Sequence, residues 1–538
     1  MKSRAALLAA STRAALLAAS THAALLAASL LATSAAAQRV GPSELAPWLG
    51  PGAPPPPGPV AFYGTDLGWS FAHAGALQML FGDTWFHART LCEGGPSNDD
   101  VQITLPLAPP ASPPAPRFAQ SDGRAQPDRI FLYRDGASLP LGFGQVPIAA
   151  FGDGARAVGL FGRWAPARCT PSCGEDGFVC SPRLGACAPA LLGITSVCEL
   201  ASGAGCQPTQ RCEPAPTGFC VDPDSPQSDG TSASERFTVA HEHEFGVQRA
   251  RRAASYDSIA TWRTHRFLNA TARTVARFSG RTGGSDYALG HGALLVWGRP
   301  GYSAEGARQA PLSLLVHDLP IETDAAGRWR FAPRYFAGLD PETREPRWSS
   351  RAAEAASLAL DGAPGGSPVE TYPIVNQLSV AWVPAPLERW VMLYGGDVTD
   401  LALEAPERAR PGPEPGAVRI RFAEHPWGPW TPPAPLLAPG APDRAGTPYG
   451  PGGVLFHPDC EDAPAAPCAR SDPKRPLSGF LPGCVSLPFV HDPGRFYGAN
   501  VIAEYTRPDG AGGVDLVWNV STWNPYAVVF VRTKLWPD

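Results

Sequence analysis

Beyond residue 45 the chain has no long stretch in which apolar residues recur with the 3.6-residue period of a helix face. That absence argues against helical bundles and against alternating strand–helix folds. No later segment is apolar enough to cross a membrane as a helix. A formal net charge of −5 leaves no basic field for nucleic acid and no polybasic membrane patch. The Gly-x-Ser-x-Gly elbow of serine hydrolases is missing. Gly64-x-x-x-Gly68 and Gly280-x-x-Gly283-Gly284 are not phosphate loops, because no Lys-Ser/Thr follows them. No cofactor is expected. His241-Glu242-His243-Glu244 is the strongest metal-like run. On a strand, however, His241 and His243 share one face and the two Glu residues the other, one ligand short of a usual zinc site. A solvated strand face is expected there, and no metal.

What is present is turn chemistry and aromatic bulk. There are 57 glycines and 62 prolines, with 15 Trp, 12 Tyr and 23 Phe to fill a core. Aromatic or β-branched runs alternate with Gly/Pro turns from Phe62 to Leu535. Aromatic four-strand units recur every 70 to 90 residues or so, which predicts an all-β, five-bladed β-propeller. The propeller is assigned to residues 60–168 and 221–538, with residues 38–59, which include Pro54-Pro55-Pro56-Pro57, as a Pro-rich linker before it. The first strand, near Phe62, and the last, Tyr526 to Leu535, are expected to share the blade that closes the ring.

Eight of the 12 cysteines lie between Cys169 and Cys220, in a segment without histidine. An even number of irregularly spaced cysteines reads as a disulfide framework in an exported protein, with zinc as the weaker alternative. Residues 169–220 are therefore taken as a stapled module inserted in one blade's loop, available to a protein or glycan partner. Residues 1–37 read as a signal peptide. Lys2 and Arg4 form its charged start, an Ala/Leu-rich stretch repeating every nine residues from Ala5 its core, and Ala35-Ala36-Ala37 its cleavage site. An uncleaved anchor is the alternative. The expected product is a monomer that is secreted, at the cell surface or periplasmic.

The chemistry sits near the first strands. A turn centred between Ala74 and Gly75 pairs residues whose numbers sum to 149, and Asp66 and Asp83 are such a pair. Their Cβ atoms would lie about 5 Å apart across the open end of the hairpin. Like charges facing each other weaken a sheet, whereas paired carboxylates are what glycoside hydrolysis uses. The structural alternative is a pair of Asp residues ending strands and capping turns.

Tyr63-Gly64-Thr65-Asp66-Leu67-Gly68, followed by Leu80-Phe81-Gly82-Asp83-Thr84, resembles the opening of the family catalogued as domain of unknown function 4185. The closing segment is similar too: Phe496-Tyr497-Gly498-Ala499, then Ser521-Thr522-Trp523-Asn524-Pro525-Tyr526, then Val531-Arg532. Weaker matches run between them, including Leu378-Ser379-Val380. The resemblance implies a five-bladed propeller and a glycoside hydrolase of family 183, acting on D-arabinan, a furanose polysaccharide. It places the catalytic aspartates at Asp66 and Asp83, in a funnel on the propeller axis. Trp69, Trp85, Trp523 and Asn524 are candidate substrate contacts, with packing between blades the alternative for the tryptophans. So are Asn376 and Gln377, which stand where the family pattern leads one to expect an acidic residue. A non-catalytic carbohydrate-binding or adhesion propeller is the alternative function.

Overall fold

The computed structural model describes residues 38–50, 53–86, 100–121, 124–134, 137–140, 145–153, 156–163, 178–181, 186–189, 196–197, 211–213, 219–221, 241–250, 252–264, 266–267, 269–275, 292–299, 312–360, 375–395, 418–437, 496–522 and 526–537. The chain folds as a five-bladed β-propeller, and the one helical element among the described residues is a short turn over Ala352–Glu354. From the axis outward, blade I is Trp69–His73, Ala76–Phe81, Val101–Pro106 and Arg117–Phe118. Blade II starts at Gln145–Asp153 and continues through Arg156–Arg163, His241–Gln248 and Ser255–Thr264. The Phe131–Arg134 and Ala137–Pro140 hairpin is added at its rim. Blades III and IV start at Asn269–Val275 and Val375–Val383, and blade V at Phe496–Val501.

Five apolar clusters fill the five seams between neighbouring blades. Phe71 and Leu80 meet Leu132 and Phe161 between blades I and II, and Phe245 and Trp262 meet Leu294 and Val296 between II and III. Trp297 meets Val380 and Trp390 between III and IV, and Leu393 and Ile420 meet Trp518 and Val520 between IV and V. Trp48 and Phe530 close the circle on Leu77, Met79 and Phe81 of blade I. Each seam buries aliphatic and aromatic surface worth about 25 cal/mol per Å² removed from water.

The hairpin follows the expected register. Trp69 faces Leu80, Ser70 faces Met79 and His73 faces Ala76. Ala74 and Gly75 both have positive φ, 51° and 76°, as the tightest hairpin turns require. The first strand, expected near Phe62, nonetheless starts later. Leu67 (φ 64°) and Gly68 (φ 121°) leave the extended region, so the regular strand begins only at Trp69.

Ring closure differs from the expectation. Part of the stretch assigned as a Pro-rich linker, Arg39–Leu49, is the outermost strand of blade V, antiparallel to Ala527–Trp536 from Arg39 opposite Trp536 to Leu49 opposite Val528. Pro42 and Pro47 fall at irregularities of this pairing, and an edge strand tolerates the missing N–H that a central strand would not. Phe62, expected in the closing strand, instead packs against Phe118 with ring centroids 4.9 Å apart. The export signal over 1–37 lies outside the described residues.

Around the cysteines, Phe178–Ser181 pairs with Ala186–Pro189, setting Cys180 opposite Cys187, and Cys212 stands opposite Cys220 in a second small sheet. The cysteine side chains, and with them the expected disulfides, lie outside the described residues. The strands flanking this segment, Arg156–Arg163 and His241–Gln248, pair directly with each other.

Arg273, from the innermost strand of blade III, crosses the axis. Its guanidinium donates to the carbonyls of Ser70 (3.1 Å), Val380 (3.0 Å) and Val501 (2.6 Å), one each from blades I, IV and V. Deleting that cation leaves the Ser70 and Val380 carbonyls without this donor and the Val501 carbonyl with only the 3.4 Å bond from Ser70 Oγ, at about 1–3 kcal/mol each. Arg273→Met is therefore expected to lower stability by about 3 kcal/mol or more in urea unfolding. An unchanged midpoint would show that the axial contacts are not stabilising.

Candidate active site

Two contacts fix how the inner strands of blades I and V lie together. Tyr497 reaches Asp66, and Ser70 reaches the Val501 carbonyl, so both chains advance four residues between contacts. The strands are thus parallel, and their N-terminal ends share one mouth. Ser379 Oγ accepts the Val501 N–H (3.0 Å), which brings the start of Val375–Val383 to the same level. Second strands return toward this mouth. The connections that leave after Phe81, Arg163, Arg299, Gly395 and Thr522 therefore all depart from the Asp66 side.

The hairpin ends here. Gly82 N–H donates to the Asp66 carbonyl (3.1 Å), Thr65 and Thr84 hydroxyls bond at 2.7 Å, and Gly64 bridges Trp85. The Gly64–Trp85 pair continues the same register past Asp66 and Asp83, so the two aspartates stand across from each other at the hairpin mouth. Leu67 is held from blade V: its N–H donates to Ser521 Oγ and its carbonyl accepts from Asn519 Nδ2, both at 2.6 Å.

The two carboxylates occupy unlike surroundings. Asp66 is 7% exposed, whereas Asp83 is half-buried. Tyr497 Oη donates to Asp66 Oδ2 at 3.0 Å. Asp66 Oδ1 is enclosed without a hydrogen-bond partner, against Gly82, where an added Cβ would sit 2.5 Å from it. Only glycine leaves that space. Tyr526 Oη donates to the Asp83 carbonyl at 3.2 Å. Burial, and then the neighbouring Asp83 charge, push the Asp66 pKa well above the usual carboxylate range, against the opposing hydrogen bond of Tyr497. Burial, followed by the Asp66 charge, likewise holds the Tyr497 and Tyr526 phenols protonated. The arrangement thus separates a proton-retaining carboxyl from one nearer solvent, the division of labour that acid–base chemistry needs.

The remaining expected contacts divide three ways. Trp69 and Trp85 are buried, at 4% and 7% exposure, with Trp85 edge-on to Tyr526 at 6.4 Å. They pack the wall behind the aspartates and offer no open face for a sugar ring. Gln377 is half-buried near the start of the blade IV inner strand. Asn376 lies on that strand too, with its side chain outside the described residues, as are Trp523 and Asn524 altogether. The His241–Glu244 run departs from the expected solvated face. His243 is buried with Nε2 2.7 Å from the Phe267 carbonyl, and Glu244 is buried in an ion pair with Arg134. The strand is paired along both edges, by Arg156–Arg163 and by Ser255–Thr264, so it lies inside the blade and not at a solvated rim. Among the described residues no group of three or more His, Cys, Asp or Glu is placed to hold a metal.

No family model matches the chain, and no curated protein matches it. Solved structures do. The fold is similar to a GH43_1 enzyme from Xanthomonas citri, at 10% identity and TM-score 0.33, over 91% of this chain and 89% of that one. It is similar to a candidate hydrolase from Bacteroides ovatus, at 11% identity and TM-score 0.35, over 88% and 86%. Trypanosoma rangeli sialidase matches at 8% identity and TM-score 0.28, over 91% of this chain and 57% of that one. The likeness is one of fold.

A carboxyl whose pKa rises on folding favours the folded state below its unfolded pKa, and that advantage is lost as pH climbs through the folded value. Asp66→Asn removes the ionisation. The variant is expected to melt above the parent at pH 7 to 8, with the gap shrinking toward pH 4. A gap that is absent or reversed at pH 8 would refute the buried-acid assignment.

Proposed function

We propose that this protein is an exported glycoside hydrolase acting on a furanose-containing, D-arabinan-like polysaccharide. The observation that carries the reading is the unequal aspartate pair: Asp66 enclosed and bonded by Tyr497, Asp83 half-buried across the same hairpin mouth. Asp66 supplies the proton to the departing glycosidic oxygen. Asp83 acts on the opposite partner, as base toward water or as nucleophile toward the anomeric carbon. The substrate class rests on the resemblance of the two terminal motifs to the 4185 family. Residues 1–37 carry the export step, and the cysteine-rich segment, which leaves and re-enters blade II on the Asp66 side, is available to a protein or glycan partner. A non-catalytic carbohydrate-binding propeller is the second reading, favoured by Asn376 and Gln377 standing in place of an acidic residue.

Incubation with D-arabinan and with plant L-arabinan separates the two. Oligosaccharide release from D-arabinan supports the hydrolase, while binding without release supports the alternative. In the hydrolase, Asp66→Asn and Asp83→Asn are each expected to cut the rate at least about 100-fold without loss of the fold by circular dichroism. A single variant keeping more than about a tenth of the activity would sink the assignment.

A further inference from the structure

Five non-glycine residues among those described have positive φ: Leu67, Ala74, Ala254, Arg344 and Glu388. Leu67 is the one that follows a candidate catalytic residue, and it is buried at 3% exposure. A left-handed leucine costs about 1–2 kcal/mol, so such a turn persists only where its surroundings impose it. Here the imposition comes from another blade. Ser521 Oγ accepts the Leu67 N–H and Asn519 Nδ2 donates to the Leu67 carbonyl, both at 2.6 Å. Asn519 and Ser521 are alternate residues of Val514–Thr522, so they project from one face of that strand. Asn519 Nδ2 also stands 2.8 Å from where a Cβ on Gly68 would lie, which leaves room there for glycine alone. Both side chains are fully buried, and their contacts fall on the two peptide units that flank Leu67, the first of which joins it to Asp66.

We infer that Asn519 and Ser521 are positioning residues: they lock the Leu67 turn and so fix the Asp66 carboxyl beneath Tyr497 and against Gly82. The inference rests on the reading of Asp66 as the acid. Without the lock, Leu67 relaxes toward ordinary φ, the carboxyl swings out of its enclosure, and water reaches it. The ionisable groups facing Asp66 are Asp83, Tyr497 and Tyr526, and none of them is altered by changing Asn519 or Ser521.

The test follows the Asp66 carboxyl directly by 13C NMR titration, with its signal identified through Asp66→Asn. Ser521→Ala and Asn519→Ala are expected to lower the titration midpoint, because the carboxyl gains solvent. Tyr497→Phe is expected to raise it, because the charged form loses a donor. Opposite shifts distinguish positioning from a general loosening of the fold. Ser521→Cys keeps the size of the side chain with a weaker acceptor and gives a smaller downward shift if the alanine variant fails to fold. On a cleaved arabinan, kcat should fall about 10-fold or more with KM within about twofold, the pattern of lost transition-state stabilisation. Folded Ser521 and Asn519 variants whose Asp66 midpoint equals the parent's would overturn the inference. The titration needs no substrate, so a protein that cleaves no arabinan defeats the hydrolase reading while still deciding this one.

Discussion

Everything at the candidate site depends on the seam between blades I and V. A propeller built from one chain must join its two ends, and here Arg39–Leu49 does so by pairing along Ala527–Trp536. The seam brings Tyr497, Asn519, Ser521 and Tyr526 against a hairpin more than 400 residues earlier in the chain. Asp66 is supplied by blade I, yet the hydrogen bond to its carboxyl and the side-chain bonds that hold the neighbouring Leu67 come from blade V. Closure and site geometry are thus one physical event.

The inequality of the aspartates follows from this. A symmetrical hairpin mouth would give both carboxylates similar exposure. Leu67 and Gly68 break the symmetry on one strand only, turning Asp66 inward while Asp83 keeps partial contact with solvent. The cost is carried in strained backbone and an unpartnered, enclosed Oδ1, the kind of local expense usually found where a site needs a group held away from its preferred state. Tyr497 moderates that expense by donating to the other oxygen.

How much of this could be read from residues alone depends on distance along the chain. The hairpin register was legible because it is local: a turn at Ala74-Gly75 dictates every pairing out to Gly64 and Trp85. The blade count was legible because aromatic runs recur. The closing strand was misassigned because Pro42 and Pro47 look like linker residues until an edge position excuses them. Val101–Pro106 carries little signal of its own, a short strand that follows two aspartates and ends on a proline. Trp69 and Trp85 read as sugar platforms because sequence shows an aromatic ring without showing which side is covered. Tyr497, Asn519 and Ser521 carry no local signal of their roles; Tyr497 and Ser521 appear within the motifs that carry the family resemblance, but their partners lie at the far end of the chain.

Arg273 has one more consequence. By tying three opposing blades together across the centre, it makes the ring a cup instead of a tube. A long polymer cannot be drawn through such a molecule like thread through a bead. On the proposed hydrolase reading, a polymeric substrate would lie across the rim with one bond dipped toward Asp66 and Asp83, and its fragments would leave by the way they came.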